Sequence, residues 1–370
     1  MRTLFVAAVC VLEFNAVETS HAATNWVSTT GNNTTGNGSS SNPYATIQKA
    51  IDVSATGDLI MLKAGTYSGT GNANLSINNE SLMVWSESGP SSTIIDAGRQ
   101  KILTASHSGD PSFVQRSSFH GITFSNGYMT YGGDWNHDSL VSINTGALEF
   151  YDCVFKQNEV KASYVTANVF ILATAPGAST NSSFFIKNSL FASNTIGCGG
   201  WVNGVGGGGG AVLMGPTNCV LDRDTFVQNN LYAATSGNGT RRVLDGGFVT
   251  NILVLSNGSL HQPNFPSGSL ASYAVSASKP VGYSYVDVPG TSQPYTNSLT
   301  NIPIFVNAAS GNFDPASNSP TINAGDRFFH RLRSVCGGCG EAWGAGLFTE
   351  ADCAGGSGER GEESVGAEGG

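Results

Sequence analysis

The chain has 370 residues and a formal net charge of −9, and only 12% of its residues are charged, so a basic surface for nucleic acid is not expected. Its 48 glycines and its many Ser, Thr and Asn residues disfavour a helical protein, because these residue types are weak helix formers. The same composition suits short strands joined by many turns.

The N-terminus has the pattern of a secretory signal peptide. Arg2 precedes the apolar run TLFVAAVCVL, and Ser20 and Ala22 supply the small residues of a cleavage site. The run is too short to span a bilayer. We therefore predict a signal peptide over residues 1–22 and a secreted or cell-surface protein. A buried strand and an uncleaved anchor are the alternatives, and no transmembrane segment is expected in the mature chain.

The next two segments differ in character. Residues 23–41, rich in Thr, Asn, Gly and Ser, are predicted to be a flexible lead. The segment YATIQKAIDVSA then places Ile47, Ala50 and Ile51 on one helical face. We expect a short helix there that covers the open end of a stack of strands, where an unpaired edge would otherwise be exposed.

A Phe-x-x-Asn unit recurs in the centre of the chain, in CVFKQN, SLFASN and DTFVQN. Alignment on this Phe gives the anchor positions Phe124, Phe155, Phe191, Phe226 and, more weakly, Val254. The residue five positions before each anchor is apolar, and the residue three positions before it is a turn former, except for an arginine in the fourth unit. The pattern persists while the intervals vary, which is typical of a solenoid.

The repeated units are short and alternating, so we interpret them as strands that bend and continue. Stacked coils would pair in parallel about 4.8 Å apart, with Phe inside and Asn in a ladder at a corner. A leucine-rich horseshoe would need helical stretches between the strands, and these are not seen. The predicted fold is all-β: a single-stranded right-handed parallel β-helix solenoid over residues 42–326, with an N-terminal capping helix.

A family resemblance agrees with this interpretation. The Phe-x-x-Asn units and GGAV at 209–212 resemble the GGA-I/L/V and FxxN repeats of polymorphic outer membrane proteins, members of the right-handed parallel β-helix, or pectin-lyase-like, group. The opening after residue 42 and the closing segment FVNAASGNFDPASNSPTINAGD are also similar to that group. Those proteins continue into a C-terminal autotransporter barrel. Nothing here resembles one, so export through such a barrel is not expected.

The tail, residues 327–370, has lost the repeat and is predicted to be low-complexity and disordered. Its lone C-x-x-C, Cys336 and Cys339, is expected to form a local disulfide in place of a metal site. Elsewhere Cys198 and Cys219 flank the loop GGWVNGVGGGGG, so a disulfide that closes this loop is one interpretation. Two buried free thiols are the other.

The resemblance implies that any catalytic groups lie on an outer face. A lyase needs a base that removes a proton beside the uronate carboxylate of its substrate and a cation that neutralises this carboxylate. A hydrolase needs two carboxylates. The candidate catalytic residues are Lys187, Asp222, Arg223 and Asp224. Four residues before each anchor stands a polar residue, and the stack should align these into an exposed stripe: His120, Tyr151, Lys187, Asp222 and Thr250. The alternative is a solvated face with an ordinary Arg–Asp pair.

A second candidate is the loop GGDWNHD, with Asp134, Trp135, His137 and Asp138. Trp beside carboxylates suits sugar stacking or Ca²⁺, and a polar loop with one aromatic residue is the alternative. No catalytic motif of the family matches residue by residue. We therefore expect a monomeric binding or adhesion module for glycans or another surface, without a metal or cofactor. The alternative is a polysaccharide lyase or a glycoside hydrolase, with Ca²⁺ as a cofactor if it is a lyase.

Overall fold

The structure is a computed structural model. It describes residues 22–319 except 79, 107–115, 132–137, 163–167, 174–181, 199–209, 215–218, 228, 234–240, 246–247, 251–252, 256–274, 277–280, 283–284, 287–294, 297–303 and 308–311. The chain divides into two compact units, Met1–Ser298 and Leu299–Gly370. The predicted tail and nearly all of the predicted signal peptide lie outside the described residues. No helix within the described ranges is long and apolar enough to cross a membrane.

The described residues of the first unit form short strands and one helix. They are β1 (Thr24–Val27), α1 (Ile47–Val53), β2 (Leu59–Leu62), β3 (Gly65–Ser68), β4 (Leu75–Asn78), β5 (Met83–Ser86), β6 (Thr93–Asp96), β7 (Leu103–Ser106), β8 (Arg116–His120), β9 (Thr123–Ser125), β10 (Tyr128–Tyr131), β11 (Asp138–Ile143), β12 (Gly146–Tyr151), β13 (Val154–Lys156), β14 (Glu159–Ala162), β15 (Asn168–Ala173), β16 (Ser182–Lys187), β17 (Leu190–Ala192), β18 (Thr195–Cys198), β19 (Gly210–Met214), β20 (Val220–Asp222), β21 (Thr225–Val227), β22 (Asn230–Ala233), β23 (Arg241–Asp245), β24 (Phe248–Thr250), β25 (Leu253–Leu255), β26 (Val275–Ser276), β27 (Val281–Gly282), β28 (Tyr285–Val286) and β29 (Tyr295–Thr296).

These strands pair in parallel in four sheets, counted over the described residues. Sheet I contains β1, β2, β5, β8, β12, β16, β20, β24, β27 and β29; sheet II contains β3, β6, β9, β13, β17, β21, β25 and β28; sheet III contains β10, β14, β18 and β22; and sheet IV contains β4, β7, β11, β15, β19, β23 and β26. From β8 to β23 the chain passes through sheets I, II, III and IV in each turn and then returns to sheet I. The fold is therefore the predicted parallel β-helix.

Phenylalanine side chains fill the interior along sheet II. Phe124, Phe155, Phe191 and Phe226 are paired in register and fully buried. Their neighbouring ring centroids lie 5.1, 4.5 and 4.7 Å apart, with nearly parallel planes. The second predicted apolar column, in sheet I, is also in register, and its members Phe119, Phe150, Ile186 and Leu221 are buried. The backbone of Val249 continues the register. Burial of the two columns contributes to the apolar core of the coils.

The predicted asparagine ladder lies where sheet II turns into sheet III. The Nδ2 atom of Asn158 donates to Oδ1 of Asn194 at 3.0 Å, and Nδ2 of Asn194 donates to Oδ1 of Asn229 at 2.8 Å. Each Nδ2 also donates to the backbone oxygen of the anchor Phe one turn earlier. All three side chains are buried, so the ladder satisfies polar groups that water does not reach.

At the corner between sheets I and II, the backbone adopts the left-handed conformation. Gly121, Asp152, Asn188 and Arg223 occupy this corner, with φ angles of 65°, 55°, 54° and 60°. They form the predicted column of turn formers, and the arginine adopts the same backbone as the others. Gly and Asn accept this conformation at little cost, whereas it is unfavourable for Arg.

The helix α1 caps the N-terminal end, as predicted. The Thr46 side chain accepts a hydrogen bond from the Lys49 backbone and so begins the helix. Ile47, Ala50 and Ile51 are buried, and the helix contacts β1, β2 and β4. It therefore shields the apolar interior of the first coils from water.

Residues 23–41, predicted to be a flexible lead, contain the strand β1 and a series of hydrogen-bonded turns. β1 pairs with β2, and the backbone of Trp26 bonds to Gly38 and Tyr44 on its other side. The Asn32 side chain accepts from two backbone amides of the following turn. The Asn- and Gly-rich composition encodes hydrogen-bonded turns that cover the edge of β1, and not a flexible chain.

The second unit also differs from the prediction of parallel coils up to residue 326. Its described strands, β30 (Phe305–Asn307) and β31 (Asn312–Pro315), pair with each other in antiparallel orientation. The Ser319 hydroxyl accepts from the backbone of Ile304 and ties the end of the hairpin to its start. The short Gly-containing connection favours a hairpin over a further turn of the solenoid.

Candidate functional site

One row of outward-facing residues runs along sheet I. Because strands alternate between interior and exterior, the residue beside each buried apolar position faces outward. We call this set the outer row; its members pair in direct register and are Trp26, Met61, Trp85, His120, Tyr151, Lys187 and Asp222. The structure thus brings together the predicted stripe from His120 to Asp222, and the backbone of Thr250 continues its register.

Sequence reasoning missed the first three members of the outer row, Trp26, Met61 and Trp85. The alignment was anchored on Phe-x-x-Asn, and the coils that contain β1, β2 and β5 lack this unit. The alternation in LIML and MVWS was a usable signal, since it marks Met61 and Trp85 as outward residues of strands.

The middle of the outer row is a stack of three rings. The centroids of Trp85 and His120 are 4.1 Å apart with planes 2° from parallel, and those of His120 and Tyr151 are 4.6 Å apart at 9°. The rings cover one another's faces, so the stack presents its edges to solvent.

A hydrogen-bond network holds the rings in place from the neighbouring outward positions. The Tyr151 hydroxyl donates to Glu149 Oε2 at 2.8 Å, and Arg116 Nη1 lies 2.8 Å from Glu149 Oε1. The His120 ring nitrogen Nε2 and Ser118 Oγ are 3.0 Å apart. These contacts fix the side-chain torsions of the stack before any ligand arrives.

The stack carries no charge at neutral pH. Burial lowers the pKa of His120 to about 4, although the carboxylates of Asp152 and Glu149 oppose this shift. Burial and the hydrogen bond to Glu149 raise the pKa of Tyr151 above its ordinary value. This part of the outer row is therefore a neutral, polar, aromatic surface.

The outer row continues into a charged cluster formed by Lys187, Asp222 and Arg223. Asp222 Oδ2 accepts from Arg223 Nε at 3.3 Å and lies 3.9 Å from Lys187 Nζ. The side chains of Lys187 and Arg223 are 26% and 29% exposed, whereas that of Asp222 is only 7% exposed. The cluster thus presents two partly exposed cations on one buried carboxylate.

Two further properties of the charged cluster are the pKa of Lys187 and the backbone of Arg223. Burial, with the positive charge of Arg223, lowers the pKa of Lys187, and Asp222 opposes this shift. Arg223 also adopts a left-handed backbone that costs about 1–2 kcal/mol for a residue with a Cβ atom. Strain of this kind is often retained at functional sites.

Asp224 does not belong to this face. Its side chain is fully buried, and Oδ1 accepts from the backbone of Ser189 at 2.8 Å. Burial raises its pKa well above the ordinary value. Asp224, a candidate catalytic residue, therefore lies on the interior side, because the left-handed corner at Arg223 separates it from the outward position of Asp222. Asp222 and Asp224 therefore do not form the paired carboxylates of a hydrolase.

The predicted disulfide between Cys198 and Cys219 is absent. Cys219 is a free, fully buried thiol whose Sγ accepts from the Phe184 backbone at 3.4 Å. It precedes β20 of sheet I, whereas Cys198 ends β18 of sheet III. Flanking a loop in sequence therefore did not bring the two residues together.

The structure describes only the last residue of the candidate loop GGDWNHD, 132–138. Asp134, Trp135 and His137 lie outside the described residues. Asp138 begins β11, where it pairs with Asn168 of β15 in sheet IV. Within the described part of the chain, no three His, Cys, Asp or Glu side chains cluster as metal ligands.

Comparisons with known proteins add the following. The family model "Protein of unknown function (DUF1565)" matches residues 29–104. No curated protein matches the chain significantly. Three solved structures are similar to it over most of their length: a pectin methylesterase from carrot (12% identity, 75% of this chain and 88% of that chain, TM-score 0.33), the pectate lyase Pel9A (15%, 83% and 92%, 0.27) and a pectin methylesterase from Aspergillus niger (14%, 76% and 85%, 0.27). The fold assignment itself rests on the sheet topology of this chain.

Proposed function

We propose that the protein is a secreted or cell-surface β-helix that binds a glycan along the outer row of sheet I. The observation that carries this proposal is the register of the row, in which neutral ring edges lead directly into the charged cluster. Sugars offer many hydroxyl groups in a fixed geometry, and a surface of fixed polar groups beside apolar edges is suited to them. The proposal does not require turnover.

The arrangement favours binding by a preorganised surface. Tyr151 and His120 are held by Glu149 and Ser118, so little side-chain freedom remains to be lost when a ligand binds. Lys187 and Arg223 share one carboxylate and keep part of each side chain exposed, so positive charge lies at the surface that a ligand would meet. The signal-like N-terminus and the polymorphic outer membrane protein-like repeats support a surface location and an adhesion role.

A polysaccharide lyase is the second candidate, and the lowered pKa of Lys187 is the observation that favours it. A lysine with a lowered pKa is a suitable base for removing a proton beside a uronate carboxylate, and Arg223 would neutralise that carboxylate. Ca²⁺ does not fit the charged cluster, because a single carboxylate there already has two cations beside it. No step through a metal is therefore derived.

The test uses the full chain with immobilised neutral and acidic polysaccharides, and it follows retention, new reducing ends and unsaturated uronate absorbance. The informative variant is Arg223→Asn, which removes the guanidinium and keeps the residue type of Asn188 at the same corner. Lys156→Met, on sheet II, is the matched control for loss of one cation. The proposal is supported if Arg223→Asn is no longer retained on a polysaccharide while Lys156→Met is retained like wild type. Cleavage that is lost when Lys187 is replaced supports the lyase. If no polysaccharide is retained or cleaved, the glycan proposal is wrong.

A further inference from the structure

A carboxyl group is buried at the corner that carries the charged cluster. Asp224 is fully buried, two residues beyond Asp222. Its Oδ1 accepts from the Ser189 backbone at 2.8 Å, and its Oδ2 has no hydrogen-bond partner among the described residues. A buried polar atom without a partner is costly, and a buried charge without a partner costs more.

The preceding turn shows that this position does not need a carboxyl group. Ser189 occupies the equivalent corner one turn earlier, and its Oγ accepts from the Cys153 backbone at 3.2 Å, as Asp224 accepts from Ser189. A neutral hydroxyl therefore makes the same contact between turns. Asp224 makes this contact with a group that can ionise.

Among the described residues, Arg223 and Lys187 are the cations that interact electrostatically with Asp224, and the effect of Arg223 on the Asp224 pKa is outweighed by burial. Asp222 and Arg223 belong to its own corner, and Lys187 belongs to the preceding turn. Both cations lie on the outer face, where they already contact Asp222. In the following turn, the strands β24 (Phe248–Thr250) and β25 (Leu253–Leu255) have no ionisable residue. The carboxylate of Asp222 on the outer face would repel a second negative charge.

We propose that Asp224 is a pH-sensitive switch for the corner that carries the charged cluster. As a neutral acid it is compatible with burial at this corner, and its ionisation destabilises the corner. This role is independent of the ligand and goes beyond glycan binding.

The direction of the pH dependence follows from linkage. The folded state holds the Asp224 proton at a pH where the unfolded chain, with an ordinary aspartate pKa of about 3.9, has lost it. Burial is the main cause of this raised pKa. The contribution to stability is therefore complete below about pH 4 and is lost as the pH rises toward the raised pKa.

The first experiment compares thermal unfolding of the full chain from pH 4 to pH 9 with that of Asp224→Ser and Asp224→Asn. The serine variant reproduces the residue of the preceding turn. We expect the melting temperature of each variant, relative to wild type, to rise with pH. Between the ordinary aspartate pKa and the raised pKa of Asp224, the wild-type equilibrium constant for unfolding should increase up to tenfold per pH unit relative to that of the variants. Asp52→Asn, at an exposed position of the helix α1, is the control, and its difference from wild type should not change in this way with pH. A variant-to-wild-type difference that is constant with pH overturns the proposal.

A second measurement uses the wild-type chain alone and so does not depend on whether a variant folds. Hydrogen exchange, corrected for the intrinsic effect of pH, should show that the Ser189 amide loses protection as the pH rises. The Asn158 amide, which bonds to the ladder at another corner, should keep its protection. Equal behaviour of the two amides would show that no local switch exists at Asp224.

Discussion

The side chain of Asn194 joins its own turn of the solenoid to the turns on both sides. Its Oδ1 accepts from both Nδ2 and the backbone nitrogen of Asn158, at 3.0 and 3.1 Å. Its Nδ2 donates to Phe155 and to Asn229. One buried amide thus takes part in four hydrogen bonds, which makes this corner a principal link between adjacent coils.

Replacement of Asn194 by alanine should therefore weaken the stack. The change leaves two donors of Asn158 without their acceptor in a buried place, and we expect a loss of about 2–4 kcal/mol. The measurement is the free energy of unfolding in denaturant. Asn78→Ala, which removes an exposed side-chain hydrogen bond, is the control and should cost less than about 0.5 kcal/mol. Similar losses in the two variants would contradict a stabilising ladder.

His120 should make the fold sensitive to acid. Its pKa of about 4 in the folded state lies below the ordinary histidine value of about 6.5, so its contribution to stability is full above that ordinary value. It is lost as the pH falls toward 4, because the unfolded chain gains the proton first. His120→Phe keeps a ring between Trp85 and Tyr151 and removes the titration. Melting temperatures from pH 8 to pH 4 should therefore fall more for wild type than for this variant, and parallel curves would contradict the prediction.

Replacement of Arg223 by valine should destabilise the fold more than replacement by asparagine. Both changes remove the guanidinium, but a β-branched residue is disfavoured in the left-handed region that φ of 60° requires. We expect Arg223→Val to be less stable than Arg223→Asn by about 1–2 kcal/mol in denaturant unfolding. The comparison needs no other control, since the lost charge is common to both variants. Equal stability would mean that the corner does not hold this backbone in solution.

Cys153 and Cys219 should behave as inert thiols in the folded chain. Both are buried, and burial raises the pKa of each to about 12, so little thiolate exists at neutral pH. Iodoacetamide should leave both unmodified in the native protein and label both after denaturation without reductant. Peptide mass spectrometry provides the measurement. A disulfide-linked peptide that contains Cys219 would refute the free thiol.

Much of the fold was predictable because each coil of a solenoid has its own copy of the sequence repeat. The anchors Phe155 and Phe191 and the ladder residues Asn158 and Asn194 recur at the same offsets, so their stacking follows from parallel pairing alone. Coils without the Phe-x-x-Asn unit gave no such alignment, and Trp85 was therefore missed as the neighbour of His120.

The sequence by itself determined the strand pattern, the inward anchors and the row from His120 to Asp222, because strand alternation and repeat spacing are local properties. Only the tertiary structure decided that Asp224 faces inward, since the left-handed corner at Arg223 sets the side chain's direction. The same holds for the turns over residues 23–41 and for the free thiol of Cys219, whose contacts are long-range. Composition indicates the local conformation that a segment favours, whereas the register between coils determines which residues each side chain contacts.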